Sequence, residues 1–325
     1  MSAWIAWHRP GADCLEILRE DAAGGVEFTM SPWGGAEGLE PLSVRGVIEK
    51  RELENGALLE SEALLENGGT TRGEHLGLIC RAQEAIQRGD FVKVVLSRTL
   101  ECKTGPIDLE HIVQRHAALH PDSFSWAVRH PAVGTWFGST PEILLEGERE
   151  HYKTVSLAGT RLAHSEDPPW TQKDVLEQQI VTDGLLESLS ECRSEVRQVG
   201  AAQTVRYGDL EHLSSVLEFD AACGADQLMD VLHPTPAVGG HPRAGALAFI
   251  RSEEKHNRGY YTGLVGLREA ERVSMFVNLR CASWADGVTT AYSGGGITAE
   301  SDPESEWAET QLKALSVLKA VGPCR

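Results

Sequence analysis

Two pairs of carboxylates stand at helical spacing in this chain, Asp174 with Glu177 and Glu306 with Glu309. Residues three apart on a helix share a face, so each pair can present its oxygens together. Two such faces brought into register make an oxygen-only ligand set. That suits Mg²⁺, a hard cation that takes few carboxylates and keeps several waters. Acidic pairs more commonly decorate solvated helix faces, and Glu309 has Lys313 four residues on as an ordinary surface partner. Spacing alone leaves both readings open.

Lys93 opens the apolar run Lys93–Arg98, KVVLSR. The period of a strand puts Lys93, Val95 and Ser97 on one face and Val94, Leu96 and Arg98 on the other. A lysine at a strand end ordinarily snorkels to water. Enclosed, it loses its proton more readily and the neutral amine can take one from water. Glu142 follows Pro141 at the head of another apolar stretch. In water it would be a plain strand-edge carboxylate. Partly buried, its raised pKa would let it protonate a leaving group. A base and an acid on facing strands suit a substitution in which water enters and hydroxide leaves.

Three weaker signals accompany these. Gly294, Gly295 and Gly296, between a strand and the last helix, could bring backbone N–H groups close to a carboxylate, although triple glycine is also common in plain loops. Arg280 sits mid-strand in the apolar stretch VNLRCA, which points to pairing with a structural or a substrate carboxylate. His212 and His233 read as packing or hydrogen-bonding residues, since no HxxxH or HxH spacing supports zinc. There is no P-loop, GxGxxG or GxSxG pattern.

The elements that must carry these residues are partly visible. Residues 1 to about 75 are rich in Gly and Glu, with short apolar runs such as Leu15 to Leu18 and no chemical constellation. From His75 the pattern sharpens. LGLICRAQEAIQRGD predicts a helix closed by Gly89, followed by a buried strand in FVKVVLSRTLEC. SFSWAVRH, GTWFGST and EILLE predict successive strands, as do TGLVGLRE, VSMFVNLRCA and VTTAYSG. Helical spacing recurs in TQKDVLEQQIVTDGLLESL and from Pro303 to Ala320. Strands in runs with helices at intervals predict an α+β fold of large antiparallel sheets with flanking helices. Residues 1–75 are expected to be a divergent part of the same fold and residues 76–325 the catalytic domain.

Composition sets the outer limits. The 325 residues carry a formal net charge of −18 with no basic stripe, so no nucleic-acid partner is expected. A small anion can still bind where a metal ion and placed cations reverse the local sign. No run of about 18 apolar residues occurs, so no membrane-spanning helix is expected. The start, MSAWIAWHRPGADC, lacks the pattern of a secretory signal. Seven scattered cysteines without a CxxC read as reduced thiols, and a cytoplasmic location is expected.

Taken in order, these segments resemble the chorismate-utilising family, which includes isochorismate, anthranilate, aminodeoxychorismate and salicylate synthases. The likeness runs from about His75 to the C-terminus. It rests on KVVLSR, FGSTPEILL (Phe137–Leu145), SLAGTR (Ser156–Arg161), KDVLEQQIV (Lys173–Val181), EHLSS (Glu211–Ser215), LHPTPAVGG (Leu232–Gly240), RGYYTGLVG (Arg258–Gly266), NLRCA (Asn278–Ala282), GGGITAESDPESEWAET (Gly294–Thr310) and Lys313. The resemblance implies an anthranilate synthase component I-like fold with its site in a cleft between sheet halves.

It also implies roles. Glu177 and Glu309 would bind Mg²⁺, with Asp174 and Glu306 helping through water, and the ion would bind the ring carboxylate of chorismate. Glu142 would protonate the departing 4-hydroxyl. Arg280, Tyr261 and the backbone of Gly294–Gly296 would grip the other carboxylate, with Lys313 beside the metal-bound one. Water-using members carry lysine where Lys93 stands, whereas ammonia users commonly have glutamine. The expected reaction is therefore attack of water at C2, giving isochorismate. The block LHPTPAVGG, with Ala237 and Val238, is more like isochorismate synthases than salicylate synthases, which go on to expel pyruvate. Salicylate synthesis, an ammonia-using activity and a non-catalytic relative are the alternatives. Family members are often monomers, and a monomer is expected. Two departures stand out: the N-terminal part is short and without a clear motif, and triple glycine replaces the more usual Gly-Ala-Gly.

Overall fold

A computed structural model describes residues 3–34, 38–53, 68–163 and 168–322. The chain opens with four strands, β1 (Trp4–His8), β2 (Cys14–Glu20), β3 (Val26–Ser31) and β4 (Leu42–Glu52). The two-residue β5 (Gly68–Gly69) precedes α1 (Arg72–Arg88), β6 (Lys93–Lys103) and α2 (Leu109–Leu119). A run of strands follows, β7 (Phe124–His130), β8 (Gly134–Thr140), β9 (Ile143–Glu148) and β10 (His151–Leu162), and then α3 (Gln172–Glu191). β11 (Glu195–Val199), β12 (Gln203–Tyr207) and β13 (Leu210–Asp220) lead to α4 (Ala225–Leu232), β14 (Gly240–His241) and α5 (Arg243–Glu253). The last part holds β15 (Leu264–Glu269), β16 (Arg272–Val277), β17 (Cys281–Ala285), β18 (Val288–Ile297) and α6 (Pro303–Leu318).

All described strands belong to one antiparallel network. Its neighbours run β6–β18–β17–β8–β7–β1–β2–β4–β3–β15–β16–β9–β10–β13. The ribbon folds over a central core that includes Trp7, Phe28, Trp126, Tyr260 and Phe276. β1 to β4 join its two halves, β1 pairing with β7 and β3 with β15. In β4 Leu42, Val44 and Gly46 are buried and Ser43, Arg45 and Val47 exposed, the period-two pattern of a strand covered on one face. Helices cover the outside: α3 and α4 over Leu144, Leu217 and Val277, and α2 and α6 over Ala127, Phe137 and Ala291.

Local chemistry fixes the helices that matter for the site. Thr71 and Glu74 form a reciprocal capping box at the start of α1, and Gly89 ends it at φ 85°, a conformation glycine takes without cost. Asp302 caps α6, with Pro303 in its first turn. The inward face of α6 carries Glu306, Thr310, Ala314 and Val317. That spacing is helical, but its first member is a carboxylate only 2% exposed. Burying it requires a partner.

Two sequence expectations change here. VSMFVNLRCA is two strands, and Arg280 lies in the break between β16 and β17 at φ 48° rather than mid-strand. The break is tertiary in origin, because β16 pairs with β9 and β17 with β8. The three glycines, read as a loop between a strand and a helix, lie inside β18. Gly294, Gly295 and Gly296 stand opposite Ser97, Leu96 and Val95 of β6. β17 stops pairing with β18 at Ala291, so among the described residues the glycine stretch has one edge without a neighbouring strand. Cys14, Cys80, Cys192, Cys223 and Cys281 are free thiols, and Cys324 lies outside the described residues. Among the described residues no helix is long and apolar enough to cross a membrane.

Candidate active site

The head of β6 and the glycine stretch of β18 form one wall of a cleft, and Leu157–Thr160 of β10 with His212 of β13 form the facing one. Glu142, Ala237, Val238, Tyr261 and Arg280 close its depth, while Glu177 of α3 and Lys313 of α6 reach in from the helices. The space between them is about 650 Å³, counting the part open to solvent.

Three lysines and three carboxylates meet along the glycines. Lys93 Nζ lies 3.0 Å from Glu177 Oε1, Lys173 Nζ 2.6 Å from Glu306 Oε1, and Lys313 Nζ 2.5 Å from Glu309 Oε1. Lys313 also donates to Gly294 O at 3.1 Å. The glycines make this crowding possible. A methyl group at Gly296 would overlap Glu177 and come within 2.8 Å of Lys93 Cε, and one at Gly295 would stand 3.0 Å from Glu306 Oε2. Burial opposes ionisation of Glu177, but Lys93, Lys313 and Lys173 outweigh it and hold its pKa below the usual carboxylate range. Glu306 goes the other way, raised by burial and then by the neighbouring Glu309 charge, against the pull of Lys173.

The donor set of this cluster is oxygen only, which suits a hard divalent ion. It is not a ready-made cage, since among the described residues no three His, Cys, Asp or Glu side chains gather closely enough to hold one ion. Asp174 has another partner than helix spacing suggested: Thr171 Oγ1 donates to its Oδ2 at 2.5 Å while its own N–H donates to Thr171 Oγ1 at 3.2 Å. It serves the N-terminal cap of α3.

Glu142 is 2% exposed at the mouth of β9. Burial lifts its carboxyl to a pKa of about 8, against smaller opposing effects of Thr235, Lys93 and Lys313. Thr235 Oγ1 donates to Glu142 Oε1 at 3.3 Å. The group is therefore protonated at neutral pH and able to donate.

Arg280 is buried, and among the described residues no carboxylate lies within ion-pair distance of its guanidinium. Nη1 donates to Ser316 Oγ at 3.1 Å, and Nη2 meets His212 Nε2 at 3.0 Å. A guanidinium only donates, so His212 Nε2 accepts and the ring proton sits on Nδ1, facing Gly159 O at 2.9 Å. Burial drives the His212 pKa well down, in keeping with a neutral ring. A buried cation held by neutral groups is a receptor for an anion. Tyr261, 3% exposed, stacks on Tyr292 with ring centres 5.7 Å apart and borders Gly294. His233, outside the cleft, meets Thr262 O through Nε2 at 2.7 Å.

The cleft thus gathers Lys93, Glu142, Glu177, Ala237, Val238, Tyr261, Arg280, Gly294, Gly296 and Lys313. Gly295, Glu306 and Glu309 lie on the α6 side of the glycine strand, and Asp174 stands apart. Sequence reading gave no role to Lys173, Thr235, Tyr207 or Ser316, and took His212 as a packing or hydrogen-bonding residue, which it is here. Only Lys173 had a local signal, lying next to Asp174 on the helix that carries Glu177. Arg258 opens the stretch RGYYTGLVG. It donates to Val95 O at 2.7 Å and Val238 O at 3.0 Å while paired with Glu254, so it ties the β6 wall to the 237–238 wall.

A sequence profile of the family described as "Chorismate binding enzyme" matches residues 48–322. The chain is 30% identical over 258 residues to "Isochorismate synthase EntC" of Escherichia coli K12, covering 75% of this chain and 66% of that protein. It is 32% identical over 260 residues to "Isochorismate synthase DhbC" of Bacillus subtilis 168, covering 73% of this chain and 65% of that one. It spans just under two thirds of the length of these curated relatives. A crystal structure described as a putative 2,3-dihydroxybenzoate-specific isochorismate synthase from Bacillus anthracis has the same fold. It superposes with TM-score 0.81 at 22% identity, covering 98% of this chain and 95% of that one.

Proposed function

The chain belongs to the family of chorismate-binding enzymes, and on that premise we propose that it is an isochorismate synthase, using water to move the hydroxyl of chorismate from C4 to C2. The observation that carries this reading is one cleft holding both an amine, Lys93, and a carboxyl, Glu142, that burial keeps protonated to about pH 8. A water between them can lose a proton to one while the leaving group gains a proton from the other.

Lys93, an ammonium beside Glu177 in the free protein, first releases its proton, and the neutral amine then accepts one from water as the oxygen bonds to C2. Both ring double bonds shift, C1=C2 to C1=C6 and C5=C6 to C4=C5, the C4–O bond breaks, and Glu142 protonates the departing oxygen, which leaves as water. One water enters and one leaves, so the ring is isomerised without net hydrolysis. Arg280 takes a substrate carboxylate in two parallel hydrogen bonds, and Tyr261 and the free edge of Gly294–Gly296 border the same end. Ala237 and Val238 supply an apolar wall.

The proposed cofactor is Mg²⁺: Glu177 and Glu309 would hold it, with Glu306 helping through water, once these carboxylates turn from the lysines they pair with here. Bound there, it would supply positive charge against the second substrate carboxylate. The charge count favours this: three lysines already balance three carboxylates, so a dianion entering without a cation would meet no surplus positive charge on that side.

The test is product identity. Purified protein with chorismate and Mg²⁺ is expected to yield isochorismate and no pyruvate, followed by chromatography. Salicylate with pyruvate, or an amino product that appears only with ammonium salts, would overturn the reading.

A further inference from the structure

Arg280 is turned into the cleft by neutral groups alone, and the largest of them lies outside the cleft lining. The guanidinium carbon stands 4.8 Å from the centre of the Tyr207 ring. Tyr207 is 2% exposed, at the end of β12, and its hydroxyl donates to Ser139 O at 2.6 Å. His120 stacks on the same ring, with centres 3.8 Å apart and planes 9° from parallel, and His116 stands 6.2 Å behind. Gly208, at φ 57°, leaves room for the stack, because a methyl group there would come within 2.8 Å of His120 Cε1. Burial keeps both histidines uncharged, His116 at a pKa of about 3 and His120 at about 2.

We propose that Tyr207, backed by His120, is a positioning residue that fixes Arg280 for the substrate carboxylate without neutralising it. The inference rests on the reading of Arg280 as a carboxylate grip. A structural carboxylate would fix the guanidinium equally well but would compete for the same fork of donors. An aromatic face attracts the cation and leaves its in-plane N–H groups free. His212 and Ser316 take one donor at each terminal nitrogen, and the ring supports the plane. The backing rings must be uncharged, because a cation stacked behind Tyr207 would cancel the attraction.

The experiment measures chorismate affinity by calorimetry, with Mg²⁺ present, in a Glu142→Gln background that stops turnover. Tyr207→Leu is expected to weaken binding about tenfold, an ordinary effect for a desolvated cation–π contact. Tyr207→Phe keeps the ring and is expected to restore affinity to within about twofold. Because Tyr207 acts through Arg280, Tyr207→Leu should add nothing in an Arg280→Ala background. Should the leucine variant not fold, His120→Leu leaves Tyr207 in place and carries the same comparison. Unchanged affinity in Tyr207→Leu, or an equal loss with and without Arg280, overturns the inference. Failure of the underlying reading looks different: Arg280→Ala itself would then leave chorismate affinity untouched.

Discussion

Lys93 Nζ and Glu177 Oε1 lie 3.0 Å apart, which ties the proposed base to a proposed metal ligand. The pair is unequal in its access to water, since the lysine side chain is 1% exposed and the carboxylate 13%. Removing Glu177 leaves a buried ammonium, whereas removing Lys93 leaves a carboxylate with some water and with Lys173 and Lys313 nearby. In metal-free protein Glu177→Ala is therefore expected to cost about 3 kcal/mol of unfolding free energy. Lys93→Met should cost clearly less, and the double variant should recover part of the loss. Urea titrations measure this, and a Glu177→Ala protein as stable as the parent would contradict the pairing.

Glu142 gives a pH dependence of defined sign. Its folded-state pKa of about 8 lies above the ordinary 4.5. Between those values the unfolded chain has released a proton that the folded chain retains. Stability contributed by this group is thus full below pH 4.5 and falls as pH rises toward 8, by roughly 1.4 kcal/mol per unit at most. Glu142→Gln removes that dependence, so its stability relative to the parent should climb from pH 5 to pH 8. Turnover should meanwhile fall by at least about a hundredfold. A constant stability difference across that range would show that the carboxyl is already ionised.

Arg280 should display a trade between function and stability. It is a buried cation with no carboxylate partner among the described residues, and burial depresses its pKa. Arg280→Met is expected to unfold with equal free energy or about 1 kcal/mol more. Chorismate affinity should drop by about a hundredfold. Thermal melting and calorimetry check the two halves separately. A large loss of stability would mean that the residue is structural.

Gly295 and Gly296 are adjacent in β18 but should differ in tolerance. A side chain at Gly296 would overlap Glu177 and crowd Lys93, both already packed, while one at Gly295 meets the end of Glu306 at 3.0 Å. Gly296→Ala is expected to abolish turnover and cost about 1–3 kcal/mol. Gly295→Ala should keep measurable turnover. Initial rates with chorismate decide it, and equal rates would mean that the glycines serve only the backbone.

What could be read beforehand followed locality. The carboxylates of α3 and α6 were legible because helix spacing is a local property, and the start and stop of α1 because Thr71, Glu74 and Gly89 announce themselves. The capping role of Asp174 was legible too, in Thr171 three residues before it. Arg280 was misplaced because its left-handed turn is imposed by different strand partners on either side, a contest with no local mark. The glycines read as a loop because glycine is a poor strand former; ten ladder partners on β6 override that. Lys173 and Glu306, 133 residues apart, could be paired only by the fold.

The most direct test of the account is the origin of the new oxygen. Turnover of chorismate in ¹⁸O-labelled water, stopped early, should give isochorismate carrying one label at the C2 hydroxyl, with the C4 oxygen lost to solvent. Isochorismate that keeps the original oxygen, with no label from water, would mean that the hydroxyl migrates within the substrate and that Lys93 activates no water.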